Sequence, residues 1–547
     1  MKKSILVLVA FGLAAVAVAD TTLISNINGY TFNSNQELVQ FSALQFTDDR
    51  VDLILTEAEN LPKEGIRVID GNGQTLLPGL IDAHGHILSY GRLLLQVDLG
   101  GSLSETEAAQ RVADFYSKNE ELEWIQGRGW NQVLWESNEF PGADSLDLVV
   151  SDKPVWLRRI DGHAGWANTK AMELAGVTRE SEDPNGGQII RDENGYPTGV
   201  FIDTAMNYIA SQIPTSTTEE LKNALSMAMN RLASYGLTAV HDAGVSSQTI
   251  AAYKQLAEEG PLPIRVNVML AASDPLFLDR LEEGYFRSDD DTLTINSVKI
   301  VGDGALGSRG AALIEDYSDD SDNRGLLRYN DERLEYLMRV AMNGGFQVNT
   351  HAIGDNANMK VLDNYERLIS ETDSRNLRHR IEHAQILRYE DILRFAKLGV
   401  IPSMQATHAT SDKNMAQDRI GEVRIQGAYA WRKLMQADTL IANGSDFPVE
   451  SPDPFWGLHA SVTRQDQSNE PPGGWLPDER MSLEEAFASF TVNAAFAGHQ
   501  ENLLGTLEAG KKADFIIIDR DIFKIPENEL WQTQALETWV NGEKITD

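Results

Sequence analysis

LIDAHGH (residues 80–86) is an apolar, β-prone run that ends in two histidines one residue apart. Seven further runs of the same kind follow: GLTAVHDAG (236–244), IRVNVML (264–270), NSVKIVGDG (296–304), GFQVNTHAIGD (345–355), RHRIEHAQ (378–385), GVIPSMQATH (399–408) and DTLIANGSDFP (438–448). Each is apolar first and polar at its end, and helix-length stretches separate most of them. Short buried strands alternating with helices build a parallel sheet, and eight of them close a (β/α)8 TIM barrel whose active site lies where the strands end. Histidines or carboxylates stand at six of the eight strand ends. The expected fold class is therefore α/β.

Two regions fall outside that repeat. Residues 20–78 and 503–547 carry short alternating strands, and the two chain ends are expected to meet in one small β-sandwich beside a barrel spanning 79–502. The span from about 100 to 235, between strands 1 and 2, is too long for a barrel loop and predicts an inserted subdomain. It holds Trp124, Trp130, Trp135, Trp156 and Trp166, half of the ten tryptophans.

The chain has 547 residues, 42% hydrophobic and 24% charged, which is enough apolar sequence for a large core and rules out wholesale disorder. Its 82 acidic and 47 basic residues leave a net charge of −35, which argues against nucleic acid and anionic membranes as partners. Residues 1–19 read as an export signal: Lys2 and Lys3, the apolar run Ile5 to Val16, then Ala17-Val18-Ala19. No later stretch is long and apolar enough to span a bilayer. The absence of cysteine excludes thiolate nucleophiles, thiolate metal sites and lipid attachment at a cysteine after the leader. A periplasmic or secreted protein acting on a small molecule is expected, and a homo-oligomer is compatible with this composition.

His84 and His86 are i and i+2 on a strand, so they face one side, and Gly85 between them adds no bulk. Alone this pair says little. Read with Lys299 on strand 4, His351 on strand 5, His383 on strand 6 and Asp446 on strand 8, it puts four imidazoles, a lysine and a carboxylate at one barrel mouth. Imidazole and carboxylate together suit zinc and similar divalent ions.

LLPGLIDAHGHI (76–87), RGW (128–130), DGHAGWANTKAMELAGV (161–177), DPNGGQIIRDENGYPTGV (183–200), VKIVGDGALGSR (298–309), HAIGD (351–355), EHAQ (382–385), SMQATHATSD (403–412), GSDFPVE (444–450) and GTLEAGKKADFIIID (505–519) stand in this order along the chain. The set resembles the amidohydrolase superfamily, and within it the amidohydrolase 3 branch of N-substituted formamide deformylase-like enzymes. The resemblance implies that His84, His86 and Asp446 hold a buried metal. It also implies that Lys299 is carbamylated and bridges to a second metal held by His351 and His383, one or two ions being bound per chain. Asp446 would take the proton of a metal-activated water and pass it to the leaving nitrogen, in hydrolysis of a non-peptide C–N bond of an amide, formamide or cyclic amide. Two rivals share the site: a metal-dependent hydrolase of an ester or other bond, and a periplasmic binding protein without turnover.

Substrate contacts are expected at His163, Arg128 and Trp130 in the insert, Asp303 after strand 4 and His408 after strand 7. Arg128, Trp130 and the other insert tryptophans would either cover the mouth as a lid or form the insert's own core. His241 and Asp412 are weighed as pocket residues, and His379, His459 and His499 as packing or surface. Glu382, next to a ligand on a strand, is expected to face away from the site. Asp203 stands where the resembled family more often has Glu. Gly304, Gly307 and Gly310 do not have the spacing of a nucleotide loop.

Overall fold

All eight runs form parallel strands, hydrogen-bonded in chain order: β1 (Leu80–Gly85), β2 (Leu237–Val245), β3 (Arg265–Ala271), β4 (Leu293–Val301), β5 (Gln347–Ala352), β6 (Arg380–His383), β7 (Ile401–Gln405) and β8 (Ala442–Gly444). The structure is a computed structural model describing residues 21–56 and 65–546; the leader read at 1–19 lies outside them. Val240, Val266, Val298, Ile300, Val348 and Ile381 are fully buried under the surrounding helices, so these strands read as apolar runs.

The barrel closes where β8 returns to β1. Asp446 N donates to His84 O (2.7 Å) and His86 N to Phe447 O (2.9 Å). Buried Asp82 adds a side-chain clasp, accepting from Ser445 Oγ (2.6 Å) and from the amides of Ser445 and His84. Burial pushes the Asp82 carboxyl up to about 7. Gly444 is required at this seam, because a Cβ there would lie 2.5 Å from His84 N.

The chain ends meet as expected, in one continuous sheet. Phe515–Ile518 runs antiparallel to Thr75–Pro78 and links Ala535–Val540 to the N-terminal strands. The strand Thr21–Phe32 turns at Asn26, φ 55°, pairing first with Arg67–Asp70 and then with Thr75–Pro78. The sheet thereby wraps its own core of Ile24, Phe41, Phe46, Leu76, Phe515 and Trp539. Arg265 on β3 ties the barrel to it: its Nε and Nη2 donate to Asp514 (2.6 and 2.9 Å), and both side chains are buried.

The insert is a six-stranded sheet with strands from Val97–Asp98 to Pro197–Asp203. Trp130, Trp135 and Trp166 pack in one of its cores, and Trp124 and Trp156 in another. It ends earlier than 235. The helix Thr218–Ala233, opened by a Thr217/Glu220 capping box, buries Leu221, Leu225, Ala228 and Leu232 in the barrel core. Among the described residues no helix is long and apolar enough to cross a membrane.

Candidate metal centre

The strand ends surround a cavity of about 410 Å³ at the barrel mouth. His84, His86, Lys299, His351, His383, His408 and Asp446 line it together with the apolar side chains Val301, Leu306, Ile353 and Val449. Sequence alternation places His84 and His86 on one side of β1, and Gly85 is needed between them, since a Cβ would meet the Phe447 ring at 2.1 Å.

Each of three imidazoles is held by its Nδ1, and in every case the partner is an oxygen that accepts. His86 Nδ1 donates to the Ala243 carbonyl (2.8 Å) at the end of β2, and His383 Nδ1 to Gln405 Oε1 (2.6 Å) on β7. His84 Nδ1 makes a short hydrogen bond to a carboxylate oxygen of Glu382. With the proton on Nδ1, each ring keeps its lone pair on Nε2, which is the form that binds a metal. His86 Nε2 lies 3.0 Å and His84 Nε2 3.6 Å from Asp446 Oδ1. Ligand atoms of His84, His383 and Asp446 lie within 4.8 Å of one another, so this donor set fits a divalent ion.

Burial, with Lys299 alongside, lowers the His84 imidazole to about 4. Burial alone would raise the Asp446 carboxyl, but the His86 hydrogen bond and the neighbouring imidazoles outweigh it and hold it well below the usual carboxylate range. Lys299 is buried, its Nζ 3.0 Å from His84 Nε2, and burial brings its ammonium down to about 8. It has no carboxylate within ion-pair distance among the described residues. His351 stacks edge-on to His383, with ring centres 4.5 Å apart, and His408 Nε2 is 3.6 Å from Asp446 Oδ2. Among the described residues, the buried Nε2 atoms of His351 and His408 have no hydrogen-bond partner.

Several expected contacts lie elsewhere. His163 has a side chain 75% exposed and pairs with Asp203 at 2.7 Å, a bond that raises its pKa; it is not among the cavity lining. Trp130 is fully buried in the insert, its Nε1 donating to Leu157 O, so it is a core residue and not a substrate contact. Arg128 sits exposed on the insert strand Ile125–Trp130, also outside the lining. Asp303 is buried beneath the cavity. It accepts from the amides of Ile353, Gly354 and Ala312, and lies 3.3 Å from His351 Nε2, which makes it a support for that ring's loop. His408 and Asp412 do line the cavity. His241 is buried below it against Arg380, and His379 and His459 are packing residues.

Glu382 overturns the expectation that it faces away. Arg380 and Glu382 share the inner face of β6, and His383 would follow the outer face if the strand continued. It does not: His383 has φ 74° and Ala384 φ 43°, so the backbone turns and brings the His383 ring back to the mouth. Sequence reading also missed the loop after β4, where Ala305, Leu306 and Gly307 form one cavity wall. Its glycines are a signal of close backbone approach, since a Cβ on Gly304 would lie 3.0 Å from Gly310.

Residues 67–545 match the sequence profile described as the amidohydrolase family. The chain is 32% identical to the putative amidohydrolase YtcJ of Bacillus subtilis over 87% of its own length and 89% of that protein's. It is 26% identical to N-substituted formamide deformylase of Arthrobacter pascens, over 95% and 97%. An uncharacterised metal-dependent hydrolase from Pyrococcus horikoshii superposes with a TM-score of 0.76 at 29% identity, covering 93% of this chain and 99% of that one. A profile match of this extent, carried by relatives that align along nearly their whole lengths, makes the chain a member of the amidohydrolase family.

Proposed function

We propose that the protein is an exported, zinc-dependent hydrolase of a non-peptide C–N bond in a small amide or formamide. The observation that carries this reading is the gathering of His84, His86, His383 and Asp446 within a cavity at the barrel mouth. His84, His86, His383 and Asp446, with His351 and Lys299, would hold one or two divalent ions, which when bound supply Lewis acidity and acidify a water. The formamide activity named for the Arthrobacter relative supports an amide substrate, and the leader pattern at 1–19 supports export.

Within this frame Asp446 is the proton carrier. One carboxylate oxygen faces His84 and His86, the other faces His408, and its depressed pKa keeps it ionised as a base at neutral pH. It takes a proton from water and returns it to the departing nitrogen. Among the described residues Lys299 has no carboxylate within ion-pair distance; as a carbamate, formed when its neutral amine adds to carbon dioxide and releases a proton, it would become an acceptor able to ligate. The apolar wall of Val301, Leu306, Ile353 and Val449 would seat the body of the substrate.

The test is release of acid and amine from a panel of N-formyl and N-acetyl amines by protein loaded with zinc in bicarbonate. Turnover that a chelator abolishes and zinc restores is expected. A metal-replete protein that hydrolyses esters but no amide would contradict the reading.

A further inference from the structure

Among the residues lining the cavity, the only cationic side chain is Lys299, which lies beside His84 at the metal centre. Besides Asp446 the lining carries two carboxylates, Asp412 and Glu450. Among the described residues, each accepts from neutral donors on one oxygen only. Asp412 Oδ2 accepts from Tyr429 Oη (2.6 Å) and Gln385 Nε2 (3.0 Å), both of these side chains being buried, and Glu450 Oε1 accepts from Ser411 Oγ (2.6 Å). Neither carboxylate has an ion-pair partner among the described residues. The nearby cations are already engaged: Lys413 with Asp466 at 2.7 Å, and Arg419 with Asp319 while its guanidinium also donates to Gly307 O. The net charge of −35 adds a field of the same sign around the mouth.

From this polarity we propose that the enzyme selects amides whose amine half carries a second, positively charged group, and discriminates against anionic amides. The inference rests on the reading of the site as an amide hydrolase. Two sets of lining residues would then act on the two ends of one substrate. The carbonyl oxygen turns to the metal centre, and the cationic arm lies against the free oxygens of Asp412 and Glu450. Hydrolysis adds water across the C–N bond: the carbonyl carbon gains the hydroxyl, the nitrogen gains the hydrogen, and at neutral pH the new acid's proton passes to the amine, which departs as an ammonium. An anionic arm in the same position would face two unpaired carboxylates, and like charges at short range are costly.

Three formamides of matched length test this on the zinc-loaded full chain: N-(3-aminopropyl)formamide (cationic), N-butylformamide (neutral) and 4-formamidobutanoate (anionic). The expected order of kcat/KM is cationic over neutral over anionic, each step being a few-fold or more and shrinking as salt is raised. In the double variant D412N/E450Q the cationic-to-neutral ratio should fall roughly tenfold, the scale for removing two partly exposed charge contacts. An anionic substrate turned over as well as the neutral one, or a ratio unmoved by the double variant, would overturn the proposal. If none of the three is hydrolysed, the amide reading fails, and charge preference is read separately by calorimetry with propane-1,3-diamine. Roughly tenfold weaker binding to D412N/E450Q than to wild type would uphold the cationic subsite, and equal or absent binding would overturn it.

Discussion

The Nδ1 of His84 is clasped by the carboxylate of Glu382, and both side chains are completely buried. Glu382 is held in turn by Arg380, whose Nε lies 2.8 Å from Oε1 and whose Nη2 donates to Oε2 at 3.0 Å. Arg380 reaches across the barrel, donating also to Ala83 O on β1 (2.6 Å), Ser403 Oγ on β7 (2.7 Å) and His241 Nδ1 on β2 (2.9 Å). One guanidinium thus ties four strands to the group that fixes the tautomer of His84. The neighbouring charges hold the Glu382 carboxyl well below its usual range despite burial.

Replacing Glu382 with Gln keeps the shape and removes the charge. Metal affinity should fall about 10–100-fold, the scale for removing a partner that orients a ligating histidine. Competition with a chromophoric chelator measures this, and circular dichroism separates it from misfolding. Affinity equal to wild type would mean that Glu382 does not position His84.

Asp514→Ala leaves the buried Arg265 guanidinium between the barrel and the terminal sheet without its carboxylate partner. Breaking a buried pair in this way costs about 3–5 kcal/mol. Urea denaturation should show a loss of that order, and Arg265→Met in the same background should recover part of it. A loss below about 1 kcal/mol, the range of an exposed pair, would show that the clasp does not hold the two units together.

Trp130→Ala empties a fully buried site in the insert. The expected loss is about 3–5 kcal/mol in the stability of that unit. If instead the indole served as a lid, KM would rise with little change in stability, and that result would return Trp130 to the substrate.

His379 is buried and neutral, with Val348 N donating to its Nδ1 (3.0 Å) and its ring stacked on Tyr365; burial depresses its pKa to about 3. Above the unfolded-state value of roughly 6.5 both states are neutral and the group contributes no pH dependence. Below that value the unfolded chain takes up the proton first, so stability falls as pH drops from 6.5 toward 3, by about 2 kcal/mol at pH 5 from this residue. Chemical denaturation of wild type and His379→Asn at pH 7 and pH 5 should show a smaller acid loss in the variant. Identical losses would assign the acid sensitivity to other groups.

The barrel was legible because each strand carries its own signal: an apolar run buried on both faces, then a polar end. The order of the eight runs is also their order in the sheet. The histidines of β1 were legible for the same reason, as i and i+2 on a regular strand. Alternation fails at β6, where positive φ at His383 and Ala384 lets Glu382 and His383 serve the same site. No residue type at 383 or 384 announces that turn, since neither is glycine. The insert tryptophans were ambiguous because large aromatic residues suit a lid and a core equally, and only the packing of Trp130, Trp135 and Trp166 against one another decides it. His163 and Asp203, forty residues apart in chain order, meet through antiparallel pairing in which Ala164 lies opposite Ile202. That register cannot be read from either segment alone.

Metal stoichiometry tests the central claim most directly: elemental analysis of the purified chain after zinc reconstitution, with and without bicarbonate. Given the donor set at His84, His86, His383 and Asp446, at least about one zinc per chain is expected without bicarbonate. About two are expected when bicarbonate allows Lys299 to become a carbamate. A folded chain that retains no zinc under either condition would contradict the account.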